Sequence, residues 1–500
     1  MTLLLGLDVG TTSVKAGLFD ARRGHLASAG REYRLSHPAP DRAEIDAETW
    51  WAAAVAAVRE VLATPGVDAS AVVALAVSSQ GESVVAVDAA GRPLGPALVW
   101  LDNRASDEAR ELSERFAADL VYERTGVPDI NPTWTAPKLL WWRRHEPDLF
   151  GAAARFLLAQ DALLHRLTGR FVTNGGLWCT TLLLDIREGG WWPEMLEVVG
   201  VAPERLPELV PTGSVVGPLT PAAAAALGLP VGIPVVAAGM DQGAGAVGVG
   251  NVAPGMVSES TGGALTLQAT VRRPGADPSG QTPVYVHSVS GAWLYCPVCP
   301  TGGMALTWFR DQLGDGGDYD ALTALAAAVP PGCDGLTMLP HLAGAFSPEY
   351  VATARGVFAG FTLAHTRGHF ARAVLEAVAF MLRRNLELLA GAGAPAAEVH
   401  THGGGARSEL WNQVKADACG VPVVTLEGED AAVRGDAMLA GVAVEAFPDL
   451  AGAAGALVAT RHRYEPDPAT RAAYDDAYDR YVRLFEALRP EFERTAEDNR

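Results

Sequence analysis

The sequence predicts an α/β protein built from a duplicated unit, with two lobes and a ligand cleft between them. The first observation is a pattern of apolar strand, short glycine- and hydroxyl-rich turn and second apolar strand at Leu3–Phe19, which recurs at Met256–Gln268. The second is the length of 500 residues, enough for one such unit in each half. The third is a glycine-rich turn between a strand and a helical pattern at Val399–Ala418, which brings backbone close to a ligand.

Composition excludes several classes of protein. The formal net charge of −19 argues against binding to nucleic acid or to anionic membranes, because both require clustered basic residues. Charged residues make up 19% and apolar residues 49% of the chain, which indicates a folded protein. The 54 glycines exceed the usual share, so they either form turns or let backbone approach a ligand.

Several segments bear on the compartment. Met1–Asp8 lacks a basic region before its apolar run and does not resemble a signal peptide. The uncharged stretch Pro218–Met240 contains four prolines, which predicts a short helix and a buried strand and not a membrane span. Five scattered cysteines form no disulfide framework, and Cys296 and Cys299 have no second ligand pair for zinc. We therefore expect a soluble protein of the reducing cytoplasm.

The first hairpin has the composition of a phosphate site. Its first strand ends beside Asp8, and the turn Gly10, Thr11, Thr12 and Ser13 offers backbone N–H groups and hydroxyls to phosphate oxygens. Asp8 could hold Mg²⁺ through water, and Lys15 could reach the terminal phosphate. A polar hairpin without a ligand is the alternative for this turn taken alone.

The second hairpin and the glycine-rich turn extend this hypothesis. The turn at Thr261, Gly262 and Gly263 would contact a polyphosphate from the second lobe. The turn Gly403–Gly405 would approach a base or ribose at the start of the next helix. Ser408 could equally be a simple helix N-cap.

These motifs together resemble the FGGY family of carbohydrate kinases, in particular its xylulokinase-like members. The resemblance rests on their order along the chain, which runs from the first strand to about Gly441: GLDVGTTSVK, WLDNR, AGMDQGAGAVGVG, STGG, TGGMALTWF and GGGARSELWNQVKAD. It implies a two-lobed actin-like ATPase (ribonuclease H-like) fold with duplicated domains and an interlobe cleft. We expect an N-terminal lobe at 1–250, a C-terminal lobe at 251–460 and a helical tail at 461–500.

The resemblance also implies site residues. Asp241 would be the catalytic base that accepts the proton of the attacking hydroxyl; its alternative is a helix N-cap. The resemblance implies nucleotide contacts, and the composition of the first turn adds Gly10. The full set is Gly10, Thr11, Thr12, Lys15, Thr261, Gly262, Gly303, Gly404, Gly405 and Ser408. ATP and Mg²⁺ at Asp8 are the expected cofactors.

A strand at Ala74–Ser79 delivers the predicted acceptor residues Gln80 and Glu82, and Trp100, Asp241 and Gln242 join them. Trp100 and Gln242 could equally serve only in packing. In the xylulokinase-like members that this chain resembles, the positions of 80–82 usually hold Gln-Met-His, whereas glycerol kinases have Gln-Arg-Glu. The absence of a bulky residue at Gly81 predicts a larger pocket, and the Glu82 carboxylate favours hydroxyl donors over a keto acceptor.

A glycine pattern after the same strand as Asp241 suggests a different activity. Gly243, Gly245 and Gly248 spell GxGxxG, the dinucleotide fingerprint, but the acidic residue expected some 20 positions later is absent. We expect these glycines to let a helix pack tightly at the interface between the lobes.

The predicted activity is ATP-dependent phosphorylation of a sugar hydroxyl, with a ketose such as xylulose as acceptor. The alternatives are another ketose, or a small polyol of the erythritol, ribitol or glycerol type. A different class is an actin-like, nucleotide-switched binding protein. The expected partners are a small-molecule substrate and, by resemblance, a second copy in a homodimer, with no nucleic acid and no membrane.

Overall fold

Twenty-four strands and seventeen α-helices position the candidate site residues in the computed structural model, which describes residues 1–273, 277, 280–314, 316–428 and 430–498. The strands are β1 (Leu3–Val9), β2 (Ser13–Asp20), β3 (Gly24–Glu32), β4 (Glu44–Ile45), β5 (Val72–Ser79), β6 (Val84–Val87), β7 (Ala97–Leu98), β8 (Arg155–Leu158), β9 (Val172–Asn174), β10 (Leu184–Asp185), β11 (Gly190–Trp191), β12 (Glu208–Val210), β13 (Val215–Pro218), β14 (Pro234–Met240), β15 (Met256–Thr261), β16 (Leu265–Val271), β17 (Val284–Val286), β18 (Trp293–Tyr295), β19 (Val298–Cys299), β20 (Thr337–Leu339), β21 (Val357–Ala359), β22 (Glu398–His402), β23 (Val423–Leu426) and β24 (Thr460–Tyr464).

The α-helices fill the connections between these strands. They are α1 (Glu48–Leu62), α2 (Ser106–Arg115), α3 (Ala118–Thr125), α4 (Thr135–His145), α5 (Pro147–Ala152), α6 (Ala159–Thr168), α7 (Gly175–Trp178), α8 (Pro193–Val199), α9 (Pro221–Leu227), α10 (Asp241–Gly248), α11 (Met304–Gln312), α12 (Tyr319–Ala327), α13 (Arg367–Gly391), α14 (Glu409–Cys419), α15 (Ala431–Ala443), α16 (Leu450–Leu457) and α17 (Arg471–Asp498). Among the described residues, no helix has both the length and the apolar composition needed to cross a membrane.

The chain forms two units whose boundaries differ from the predicted ones. The described parts of 1–252, 279–294 and 430–459 form unit 1, and those of 253–278, 295–429 and 460–500 form unit 2. Two segments that we assigned to the second lobe therefore belong with the first. The predicted separate tail at 461–500 is part of unit 2: it contributes β24, and then α17 up to Asp498, while residues 499 and 500 lie outside the described residues.

The two units repeat one strand arrangement. In unit 1, β2 is antiparallel to β1, β1 is parallel to β5, β5 is parallel to β14, and β14 is antiparallel to β13. In unit 2, β16, β15, β22, β23 and β24 follow each other with the same succession of directions. The predicted duplication of an α/β unit is therefore confirmed.

The central sheet of unit 1 is buried on both faces. Leu3, Leu5 and Leu7 of β1 pack with α1 on one face, whereas Leu4 packs on the other face with α15. This alternation follows from the two-residue period of a strand. The helix α15 thus completes, from the C-terminal third of the chain, a core that begins at residue 3.

Candidate active site

A bulge at the end of β14 sets the position of Asp241. The pairing of β14 with β5 shifts register between Ala237 and Gly239, where Gly239 adopts φ +95°. The Gly239 N–H donates to the side-chain oxygen of Gln160 at 2.7 Å. Bulges of this kind redirect the chain, and here the strand ends at Met240 and Asp241 begins α10.

Asp241 lies in a negatively charged environment. It is half-buried, and burial, followed by the charges of Asp8 and Glu82, raises its pKa well above the usual value of an aspartate. Its carboxylate accepts a hydrogen bond from the Gln242 N–H at 2.7 Å. A carboxylate with a raised pKa has a stronger affinity for a proton, which is what a general base requires.

The first turn contains the predicted phosphate ligands of unit 1. The Gly10 N–H donates to the Ser13 carbonyl at 2.9 Å and closes the turn, which leaves Thr12 exposed. Lys15 lies opposite Asp8 in the register and donates to Asp430 at 3.0 Å. Its side chain is 49% exposed, so this surface ion pair is weak and the ammonium can exchange to a phosphate.

Asp8 is the predicted magnesium ligand. Its side chain accepts a hydrogen bond from Ser78, and burial raises its pKa to about 6, against the opposing effects of this hydrogen bond and of Lys15. Among the described residues, no group of three or more His, Cys, Asp or Glu side chains is placed to hold a metal ion. Asp8 nevertheless fits Mg²⁺ that arrives with a polyphosphate, because this ion takes one or two carboxylates plus phosphates.

The segment at 80–82 differs from our expectation. A side chain at Gly81 would begin 3.0 Å from the sulfur of Met240 and 3.0 Å from the hydroxyl of Thr180. The predicted enlargement of the pocket at Gly81 is therefore wrong, because these side chains fill the space. Glu82 adopts φ +58°, and burial raises its pKa to about 7.

Gln80 and Trp100 link the acceptor residues to the first turn. The Gln80 amide donates to the Gly10 carbonyl at 3.2 Å, while its buried side-chain oxygen has no hydrogen-bond partner among the described residues. The indole of Trp100 donates to the Thr11 hydroxyl at 2.9 Å. Unit 1 thus brings together all the predicted acceptor residues, Asp8 and the first turn.

Unit 2 contains a cavity of about 590 Å³. The lining includes every nucleotide residue predicted in this half of the chain, namely Thr261, Gly262, Gly303, Gly404, Gly405 and Ser408. It also includes residues that we did not predict, among them Met304, Tyr319, Asp320, Thr323 and Trp411. A volume in this range suits a nucleotide or another drug-sized ligand.

Glycines at the cavity permit close backbone contacts. A Cβ at Gly302 would lie 2.4 Å from the Ala264 carbonyl carbon, and one at Gly303 would lie 2.5 Å from the Gly262 oxygen. The Gly303 N–H donates to that oxygen at 2.7 Å. Ser408 caps α14 by accepting from the Trp411 N–H at 3.3 Å, so the N-cap alternative describes its hydrogen bond while it also lines the cavity.

The GxGxxG segment forms a helix contact. A Cβ at Gly248 would lie 1.8 Å from the Ala431 oxygen, and one at Gly435 would lie 1.9 Å from the Ala244 oxygen. The tight packing expected of Gly248 is confirmed, but its partner α15 belongs to the same unit, so the expected interface between lobes is wrong. A Cβ at Gly245 would have no atom within 4 Å, so this glycine takes no part in the contact.

The cysteines take no part in the site. None of the five forms a disulfide, and both Cys296 and Cys299 are buried. Burial raises the pKa of Cys299 to about 12, which keeps the thiol protonated.

Sequence reasoning missed several buried polar residues. Ser78 donates toward both Asp8 and Asp436, and Lys415 and Glu259 form an ion pair behind the cavity. The available signal was a charged residue among apolar ones in a helical pattern, as with Lys415 four positions after Trp411.

Comparison with known proteins decides the family. The N-terminal domain model of the FGGY family of carbohydrate kinases matches residues 3–248, and its C-terminal domain model matches residues 263–444. The chain belongs to this family. It is a sugar kinase, and its duplicated α/β architecture is the actin-like ATPase fold that the resemblance implied.

Individual relatives cover almost the whole chain. A xylulose kinase of Escherichia coli is 31% identical over 98% of this chain and 99% of its own length. A glycerol kinase of Trichlorobacter lovleyi is 33% identical over 90% of this chain and 91% of its own length. The crystal structure of a xylulose kinase from Rhodospirillum rubrum superposes with a TM-score of 0.91 at 32% identity, covering 98% of this chain and all of that one.

Proposed function

We propose that this sugar kinase transfers the γ-phosphoryl group of ATP to a hydroxyl of a ketose, most simply xylulose, with Asp241 as the base. The observation that carries the proposal is the Asp241 carboxylate at the start of α10, with a raised pKa and with Asp8 and Glu82 as charged neighbours. The alternative acceptor is a ketose other than xylulose, or a small polyol of the erythritol, ribitol or glycerol type. The glycerol kinase relative supports this alternative.

In this proposal each predicted residue has one task. Asp241 accepts the proton as the acceptor hydroxyl attacks the γ-phosphorus in line with the leaving ADP. Gln80, Glu82, Trp100 and Gln242 orient the acceptor. The side-chain oxygen of Gln80, which has no hydrogen-bond partner among the described residues, can accept a hydrogen bond from one of the acceptor's hydroxyls. The nucleotide contacts are assigned to Gly10, Thr11, Thr12, Lys15, Thr261, Gly262, Gly303, Gly404, Gly405 and Ser408.

Mg²⁺ bound with ATP would be held by Asp8 and would neutralise charge on the phosphates. The protein itself carries a net charge of −19, so neutralisation at the phosphates must be local. Lys15, released from its ion pair with Asp430, supplies a further positive charge.

The experiment is an acceptor panel. Purified protein with MgATP is offered xylulose, ribulose, other ketoses, erythritol, ribitol, glycerol and gluconate, and acceptor-dependent ADP release is measured. At a pH above the raised pKa of Glu82, where its carboxylate is ionised and repels an anion, we expect phosphorylation of a neutral polyhydroxyl compound and not of gluconate. ADP release that no acceptor raises above the rate in water would contradict the proposal and favour a nucleotide-switched binding protein.

A variant tests the base. Asp241→Asn preserves the shape of the side chain and removes its basicity, so kcat should fall by about 10²–10⁴. The ADP affinity should stay at the wild-type value, because Asp241 does not line the unit 2 cavity. Turnover at the wild-type rate would show that another group accepts the proton.

A further inference from the structure

A buried ion pair lies directly behind the nucleotide cavity of unit 2. The Lys415 ammonium on α14 donates to the Glu259 carboxylate on β15, and both side chains are 0% exposed. Lys415 also donates to the Thr261 hydroxyl at 2.9 Å. The Thr401 hydroxyl on β22 donates to the same carboxylate oxygen as Lys415. Three elements of the sheet and its helix thus meet at one charged cluster.

The donors and acceptors in this cluster determine whether the Thr261 hydroxyl can donate a hydrogen bond to a ligand. A protonated lysine only donates, so the Thr261 oxygen must accept from Lys415. The single hydrogen of that hydroxyl is then donated to the second oxygen of Glu259, at 2.8 Å. The Thr261 hydroxyl therefore has no hydrogen left for a phosphate, and phosphate contacts at this turn fall to main-chain groups.

Thr261 is also the packing contact between the walls of the cavity. A Cβ at Gly405 would lie 2.7 Å from both Cβ and Cγ2 of Thr261, so the glycine-rich turn rests on this side chain. A Cβ at Gly303 would lie 3.7 Å from Cγ2 of Thr261, on the side of α11. Lys415 further lies 5.4 Å from the ring centroid of Trp411, which lines the cavity.

A buried ion pair is not needed to fill this space. Two desolvated charges give little net stability, and an apolar pair of similar volume is often as stable or more so. What the charges add is direction, because each hydrogen bond holds its partner at one angle and one distance. The turn whose orientation they hold is the one that faces the nucleotide.

We propose that Lys415 and Glu259 are positioning residues for the nucleotide: they hold Thr261 in one rotamer and thereby set the spacing of the cavity walls. The inference rests on the proposed function, because it takes the cavity as the nucleotide site. It assigns the pair to nucleotide affinity and not to the acceptor or to the chemical step.

The main variant is the double substitution Glu259→Leu with Lys415→Leu, which keeps the space filled and removes both charges. The matched control is Arg372→Leu with Glu376→Leu, which removes a second buried ion pair of unit 2, with an N–O distance of 2.9 Å, whose residues do not line the cavity. Thr261→Val is the third variant, since it keeps the shape of the side chain and removes only the hydroxyl. ADP binding is measured by calorimetry, and KM for ATP, KM for the acceptor and the melting temperature are measured on the same preparations.

We expect the Glu259/Lys415 double variant and Thr261→Val to bind ADP about tenfold more weakly, because the ordering of Thr261 that one or two internal hydrogen bonds supplied must then be supplied on binding. KM for ATP should rise in parallel, while kcat and the acceptor KM stay within twofold. The Arg372/Glu376 control should keep the wild-type ADP affinity whatever its melting temperature.

Three results would overturn the inference. Wild-type ADP affinity in a folded Glu259/Lys415 double variant would show that the pair only fills space. Tighter ADP binding there would show that the released Thr261 hydroxyl donates to a phosphate. A wild-type protein that binds no adenine nucleotide would overturn the proposed function and this inference with it, whereas a wild type that binds ADP but phosphorylates no acceptor would leave the binding comparison valid.

Discussion

Substituting Gly248 by alanine should push α10, the helix that begins with the proposed base Asp241, away from α15. The new Cβ would lie 1.8 Å from the Ala431 oxygen, whereas a close carbon–oxygen contact needs about 3.3 Å. The two helix backbones must therefore separate by about 1.5 Å. Because Asp241 is the first residue of the displaced helix, and a misplacement of about 1 Å can cost about 100-fold in rate, kcat should fall by about two orders of magnitude.

Stability should fall as well. Overpacking costs about 1–3 kcal/mol, and the better helix propensity of alanine regains about 1 kcal/mol, so the net loss in free energy of unfolding is at most about 2 kcal/mol. The assay is kcat with the best acceptor of the panel, together with the melting temperature.

Gly245→Ala is the matched control on the same helix, since no atom lies within 4 Å of the position of its Cβ. It should keep the wild-type kcat and gain up to about 1 kcal/mol from helix propensity. If this segment were instead a dinucleotide-binding turn, Gly245→Ala would weaken nucleotide binding, because the second glycine of that motif lets the backbone approach the phosphate. Loss of nucleotide binding in Gly245→Ala, or unchanged kcat in Gly248→Ala, would refute the packing argument.

Three further changes have defined outcomes. Since burial raises the pKa of Glu82 to about 7, its carboxylate becomes protonated as the pH falls through that value, and the acceptor KM should rise below pH 7. In Glu82→Gln the acceptor KM should not change with pH over the same range. Gly405→Ala places a Cβ 2.7 Å from Thr261 and should weaken ADP binding, measured by calorimetry, without changing the acceptor KM. Trp100→Phe removes the 2.9 Å hydrogen bond to Thr11 and should cost about 1 kcal/mol of transition-state binding, a roughly fivefold loss in kcat/KM that would not appear if the indole only packs.

Local pattern was enough to predict much of this molecule. Both hairpins, the strand before Asp241 and the helix after the glycine-rich turn are encoded by neighbouring residues, and each is present. The six nucleotide residues predicted in the second half line one cavity. Local pattern suggests the turns at 261–263 and 403–405, whereas the contacts at Gly303 and Ser408 are implied by the family resemblance.

The rest depends on contacts between distant parts of the chain. Lys15 and Asp430 are separated by 415 residues, and Lys415 and Glu259 by 156, so no local window reveals either pair. The space beside Gly81 is filled by Met240, which comes from a different strand of the sheet. The boundaries of the two units differ from the predicted ones because α15 returns to the first sheet after every strand of the second sheet except β24.

The return of α15 to the first sheet has a consequence for biosynthesis. The face of β1 that carries Leu4 is covered by α15, which leaves the ribosome more than 400 residues later. At about 5–20 residues per second, this apolar surface stays uncovered for roughly 20–80 s. An N-terminal fragment ending near residue 250 would lack α15 and would keep exposed the part of that surface that α15 covers. The nascent chain therefore passes through a long aggregation-prone interval, in which a chaperone that shields apolar surface would increase the yield of folded enzyme.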